Sequence, residues 1–290
     1  MRKARILASF LVYLIIAVNM HSSAIKAADK YKLQYKMDKG MKFDMKISLK
    51  HRNQRNIMGN ELITNSVDMI EYGFDVVSAG VDGLELELEY KGRARDTDDS
   101  MSRVGTDFSP LIGKKVRMFL SSKGELSGFE KFEHLPVIEI PDQQSSLTKD
   151  HYIIEIKNIF PELPDGHIGL GESWSYSRQY DAPVQEGNVT VRLHVTYTLL
   201  EETRRNGHDC LKIAGKYAID IAGGLIAGGM DLALTLKGEG SEVVYFAWKK
   251  GMLLGIESTS VVEGAAENEE LELSMPMRHE YQTALSVELD

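Results

Sequence analysis

The chain has 290 residues, 43% hydrophobic and 27% charged, with a formal net charge of −9 and a single cysteine, Cys210. An acidic balance of this kind opposes nonspecific binding to nucleic acid or to an anionic membrane surface. One thiol excludes an internal disulfide, so packing alone must hold the fold.

The first element in chain order is a leader. Arg2, Lys3 and Arg5 precede an apolar run, Ile6–Val18, and polar Asn19, His21, Ser22 and Ser23 lead to small Ala24. A charged start, a short apolar middle and a small-residue exit make a secretory signal peptide within residues 1–27, with cleavage after Ala24 or Ala27. Thirteen residues at about 1.5 Å each fall short of a hydrocarbon core of about 30 Å, so no retained transmembrane span is expected. The segment has no cysteine to accept a lipid, so the mature chain is expected in the periplasm or outside the cell as a soluble protein. Cleavage after Ala24 removes three positive charges and no acids, moving the formal charge from −9 to −12.

Residues 28–135 read as a first β repeat. Tyr31–Leu49 gives two alternating strands around Asp38-Lys39-Gly40, and His51–Asn60 reads as a polar loop or hairpin end. Leu62–Val77 alternates again. Asp82-Gly83 marks a turn before Leu84–Tyr90, where Leu84, Leu86 and Leu88 alternate with Glu85, Glu87 and Glu89 as a dry and a wet face. Charged Arg93–Gly105 breaks the pattern. Residues 136–168 form a connector holding one helix, 148–160, with Ser145, Ser146 or Thr148 as its cap and Pro161 as its stop.

A second β repeat occupies 169–290. Its core is Gly240–Glu257, GSEVVYFAWKKGMLLGIE, which agrees with Gly113–Glu130, GKKVRMFLSSKGELSGFE, at eight of eighteen positions without a gap. Both read as hairpins turning at Lys-Gly, with Phe119 and Phe246 equivalent. Asn206-Gly207 answers Asp82-Gly83, and Cys210–Ile221 answers the Leu84 strand. Met252, Leu254 and Ile256 share one face where the first copy has Glu125, Ser127 and Phe129, so the second hairpin is expected nearer the centre of the fold. A polar strand or tail closes the chain. The expected fold is mainly β: two duplicated antiparallel meanders forming a curved sheet, half-barrel or open barrel, with one connecting helix.

Chemistry leaves little trace. The histidines show no metal-ligand spacing, and G-x-S-x-G, P-loop and dinucleotide fingerprints do not occur. No catalytic residue, metal or cofactor is therefore expected, and Cys210 reads as a small buried hydrophobe. The unusual stretch is Ile221–Met230, IAGGLIAGGM, glycine-rich and uncharged. It reads as a connection between strands Lys212–Ile221 and Asp231–Lys237, whose glycines allow bulges or close backbone approach. As a site it would be an apolar rim formed by Leu225, Ile226 and Met230, with Trp248 as a fourth ligand-binding candidate.

The G-x-x-[FW]-x-[MY] segments at Gly40–Met45 and Gly171–Tyr176, the D/N-G turns and the doubled F-x-x-x-K-G-x-L hairpin resemble uncharacterised secreted bacterial β-rich proteins. These are similar in layout to the outer-membrane lipoprotein carrier superfamily. The resemblance implies a curved antiparallel sheet closed over an apolar cleft, a lipid or acyl-chain ligand and envelope partners; it carries over no functional residue, and the doubled hairpin departs from a single half-barrel. The resulting expectation is an exported, non-enzymatic β protein that binds an apolar ligand or an envelope partner. The alternative is a structural or interaction module with a filled core and no ligand.

Overall fold

The computed structural model describes residues 30–57, 59–98, 105–140, 145–182, 184, 187–227 and 229–289, so the expected signal peptide lies outside the described residues. Fifteen strands are described: β1 (Lys30–Lys32), β2 (Lys42–Ile57), β3 (Asn60–Ala79), β4 (Gly83–Asp98), β5 (Lys115–Ser121), β6 (Leu126–Glu130), β7 (Ile138–Ile140), β8 (Ser145–Leu147), β9 (His167–Gly169), β10 (Ser173–Ala182), β11 (Gly187–Arg205), β12 (His208–Ala227), β13 (Met230–Ala247), β14 (Met252–Asn268) and β15 (Leu273–Leu289). One α-helix, α1 (Lys149–Lys157), follows β8.

Eleven of the strands make one antiparallel sheet in the order β10-β11-β12-β13-β14-β15-β2-β3-β4-β5-β6. Among the described residues β10 and β6 are free edges, so the sheet is open and not a closed barrel. Each copy is a meander, β2–β6 and β10–β14, and the two lie side by side. The strand that joins them is β15, which pairs with β14 on one side and β2 on the other. What reads in sequence as a polar strand or tail is thus a central strand: Leu285 faces Ile256 and Ile47, and Val287 faces Met45. Alternation puts Leu285 and Val287 on the covered face and Ser286 and Glu288 on the outer one.

The two hairpins form as expected, β5–β6 at the sheet edge and β13–β14 near the middle, and each contains a one-residue register shift. The bulges do not match in phase. Phe246 is fully buried, whereas the buried residues of β5 are Val116, Met118 and Leu120, and Phe119 points to the other face. The expected equivalence of Phe119 and Phe246 holds along the chain and fails across the sheet, because a one-residue slip reverses every side chain.

Several strands outrun their sequence signals. Polar 51–57 continues β2, and Arg93–Asp98 continues β4, since both pair with β3 along their whole length. The connection expected at Ile221–Met230 is strand: β12 runs to Ala227 and β13 starts at Met230. A β-carbon on Gly223 would stand only 2.7 Å from Cα of Val189, so glycine there serves close approach of β11 to β12. Of the strand pair expected around Asp38-Lys39-Gly40, the second strand forms as β2, while the first is strand only in β1, which pairs with β9. Residues 33–37 stay extended and send Leu33, Tyr35 and Met37 into the core.

One face of the sheet is covered by residues 31–37, by α1 and by the segments flanking it. The helix is shorter than the expected 148–160, and its cap is Thr148, in a capping box with His151. Tyr152 and Ile156 of α1 pack down, together with Phe132, Ile159, Phe160 and Leu163. Aromatic contacts bind cover to sheet: Tyr90 to Tyr152 at 5.9 Å, Phe74 to Phe160 at 6.1 Å and Tyr35 to Phe246 at 5.3 Å between ring centroids. Below the helix, Glu155 accepts hydrogen bonds from Tyr72 Oη and from the buried Arg93. Cys210 is fully buried on this face, and burial pushes its thiol pKa up.

Candidate functional site

The cover over the sheet ends at Asn158–Pro161, and a cleft of about 280 Å³ opens there over β10–β15 and β2. Its floor follows from strand register. One cross-strand row reads Tyr197, Gly215, Glu242, Ser258, Thr283, Leu49, and the next reads Val195, Tyr217, Gly240, Ser260, Tyr281, His51. A third carries Leu193, Ile219, Gly238 and Val262. Tyr176, Arg178 and Tyr180 of β10 form one wall.

Glycines shape this floor. A β-carbon on Gly215 would come within 2.7 Å of the Tyr197 ring, and one on Gly240 would overlap the ring of Tyr217. Both tyrosines therefore lie down across the neighbouring strand instead of standing up into the cleft. Tyr197 Oη donates to Glu242, and Tyr217 Oη donates to the Thr259 carbonyl at 3.3 Å. Burial raises the Glu242 pKa, and the Tyr197 hydrogen bond partly offsets that rise. Burial likewise pushes Tyr176 up to about 12. Arg178 is engaged on the side of the cover: it donates to Glu162 at 2.7 Å, to the Lys157 carbonyl at 2.8 Å and to Asn158 at 3.2 Å.

A ladder of rings borders the cleft. His51 stacks on Tyr281 at 4.4 Å between centroids, and its Nε2 lies 3.1 Å from Nδ1 of His279. Desolvation, reinforced by His279, Arg95 and Arg55, lowers the His51 pKa to about 4. His279 is lowered too, chiefly by desolvation. Among the described residues no three His, Cys, Asp or Glu side chains gather to hold a metal ion.

Beyond the cleft lies a second apolar cluster, with Val189, Leu232, Leu234, Leu236, Val262 and Ala266 buried and every member on β10–β15. Three of the sequence candidates fall at this end. Leu225 and Met230 are half-buried against the cluster. Ile226 pairs with Asp231 and is 43% exposed, so alternation points it to the opposite face. Trp248 is elsewhere: it sits in the β13–β14 turn, edge-on to Tyr31 at 5.6 Å and packed on the main core. The whole length of β13 lies between it and Met230. Sequence reading missed Tyr197, Tyr217 and Glu242, whose only trace was the pairing of tyrosines with glycines along strands that meet in the sheet. A larger groove of about 910 Å³ on the opposite face is lined by wet-face residues such as Lys46, Lys50, Lys216 and Met69.

No family model and no curated protein matches this chain. Among solved structures, it is similar to a Bacteroides fragilis protein with a YmcC-like fold, at 10% identity over 88% of this chain and 99% of that one, with a TM-score of 0.25. A DUF1329 family protein from Desulfovibrio piger has 9% identity over 87% of this chain and 85% of that one, with a TM-score of 0.20. A domain from Vibrio parahaemolyticus named for outer membrane lipoprotein sorting has 6% identity over 84% and 85%, with a TM-score of 0.20.

Proposed function

We propose that this is an exported, non-enzymatic β protein of the cell envelope that binds an apolar ligand, a lipid or acyl chain, on the covered face of its C-terminal repeat. One observation carries the reading: Ile219 and Tyr281 line the cleft and also pack against the second apolar cluster, so apolar surface continues from the tyrosine floor to Leu225 and Met230. An acyl chain along this path would gain about 0.8 kcal/mol per buried methylene, and about ten carbons would suffice for micromolar affinity after association costs. The cleft lies near the lower end of small-molecule sites, about 300–1,000 Å³. The alternative, an interaction module without ligand, draws its support from the close ring packing under α1.

The test is binding of a fluorescent fatty acid to wild type, Leu225→Asp and Ile226→Lys. Loss of at least tenfold in affinity for Leu225→Asp, with Ile226→Lys unchanged, is the expected result. Absence of binding by wild type would favour the interaction module. Export is tested by N-terminal sequencing of the mature chain, expected to begin at Ile25 or Ala28.

A further inference from the structure

Resting on that reading, the polar half of the cleft specifies the ligand's headgroup. Among the described residues its lining contains one cation, Arg178, whose two terminal nitrogens are engaged by Glu162, the Lys157 carbonyl and Asn158. An anionic headgroup would meet no free positive charge there. It would instead approach Glu242, and two acids in one desolvated site cannot both ionise cheaply. The remaining polar groups are mostly hydroxyls, from Tyr176, Tyr180, Tyr281, Ser258, Ser260 and Thr283. A hydroxyl both donates and accepts, so such a lining matches a partner that does the same at several adjacent positions. The half-buried ring of Tyr217, held flat on Gly240, offers an apolar face on which the C–H side of a polyol can rest.

We propose that the cleft selects a neutral, hydroxyl-rich headgroup, the glycerol or sugar of a nonionic lipid, and discriminates against anionic ones. Glu242 acts here as an acceptor for ligand hydroxyls and as the group that repels carboxylate or phosphate.

Calorimetric titration of the wild-type protein with decyl glucoside, decanoate and decyltrimethylammonium, each below its micellar concentration, decides the matter. The three probes share a ten-carbon chain and differ in head charge. Decyl glucoside is expected to bind at least tenfold more tightly than decanoate. In Glu242→Gln, which keeps an acceptor oxygen for Tyr197 but removes the charge, the preference for decyl glucoside over decanoate should narrow at least fivefold. Equal binding of the three probes, or tighter binding of either ion, overturns the headgroup assignment and leaves the apolar site standing. No binding by any probe overturns both.

Discussion

Gly124 and Gly251 occupy the same place in the two repeated hairpins, and both turns close on the same extended segment at adjacent residues. Tyr35 N–H donates to the carbonyl of Ser122 in the turn of the first glycine, and Lys36 N–H donates to the carbonyl of Gly251 itself. Gly124 has φ +100° and would place a β-carbon 2.9 Å from the Tyr35 ring; Gly251 has φ +66° and would place one 2.6 Å from the Lys36 nitrogen. The duplication thus serves as a clamp, with residues 34–36 as the part held. Alanine at either glycine is expected to cost about 1–3 kcal/mol, since both would meet backbone, the Pro161 carbonyl oxygen at Gly124 and the Lys36 nitrogen at Gly251. Thermal unfolding should register this as a fall of roughly 2–4 °C per kcal/mol. Unchanged melting of both variants would break the clamp argument.

Phe246→Ala and Phe119→Ala separate sequence equivalence from structural equivalence. Phe246 is fully buried and meets Tyr35 edge-on, so its truncation should cost about 3–5 kcal/mol in urea unfolding. Phe119 is half-buried on the opposite face and should cost clearly less. Equal losses would contradict the phase difference between the hairpins.

The ion pair beneath α1 fixes the cover to the sheet. Arg93 Nη2 lies 3.0 Å from Glu155 Oε2, and the Arg93 side chain is 6% exposed. Glu155→Ala leaves that cation without its carboxylate and should destabilise by about 3–5 kcal/mol. The double variant Arg93→Met, Glu155→Leu should recover part of the loss, because no buried charge remains. A single-variant effect below about 1 kcal/mol would show that the helix is held by packing alone.

The histidine ladder makes stability depend on pH. His51 has its pKa lowered from 6.5 to about 4 in the folded state, so between those values the unfolded chain binds the extra proton. This contribution is complete above about pH 6.5 and is lost as pH falls toward 4. The loss amounts to about 2 kcal/mol by pH 5. Urea midpoints measured at pH 7.5 and 5 should diverge more for wild type than for His51→Asn. The same pH slope in both proteins would exclude His51 as its source.

The sequence by itself determined the local elements and the duplication. Leu84, Leu86 and Leu88 alternate with glutamates because one face of β4 is dry, and the wet face is answered by Lys115 and Arg117 on β5. Asn206-Gly207 is a turn because both residues must take positive φ, 51° and 79°. Strand ends were less legible: Arg93 and Arg95 look like loop residues until Glu155 and Asp68 arrive from other elements to pair with them. Tertiary structure alone decided the site. Which tyrosine lies on which glycine, and that Glu242 faces Tyr197, depend on register between strands far apart in the chain. The same holds for β15: its polar residues conceal a central strand, because only the sheet supplies the neighbours, Ile256 and Ile47, that bury Leu285.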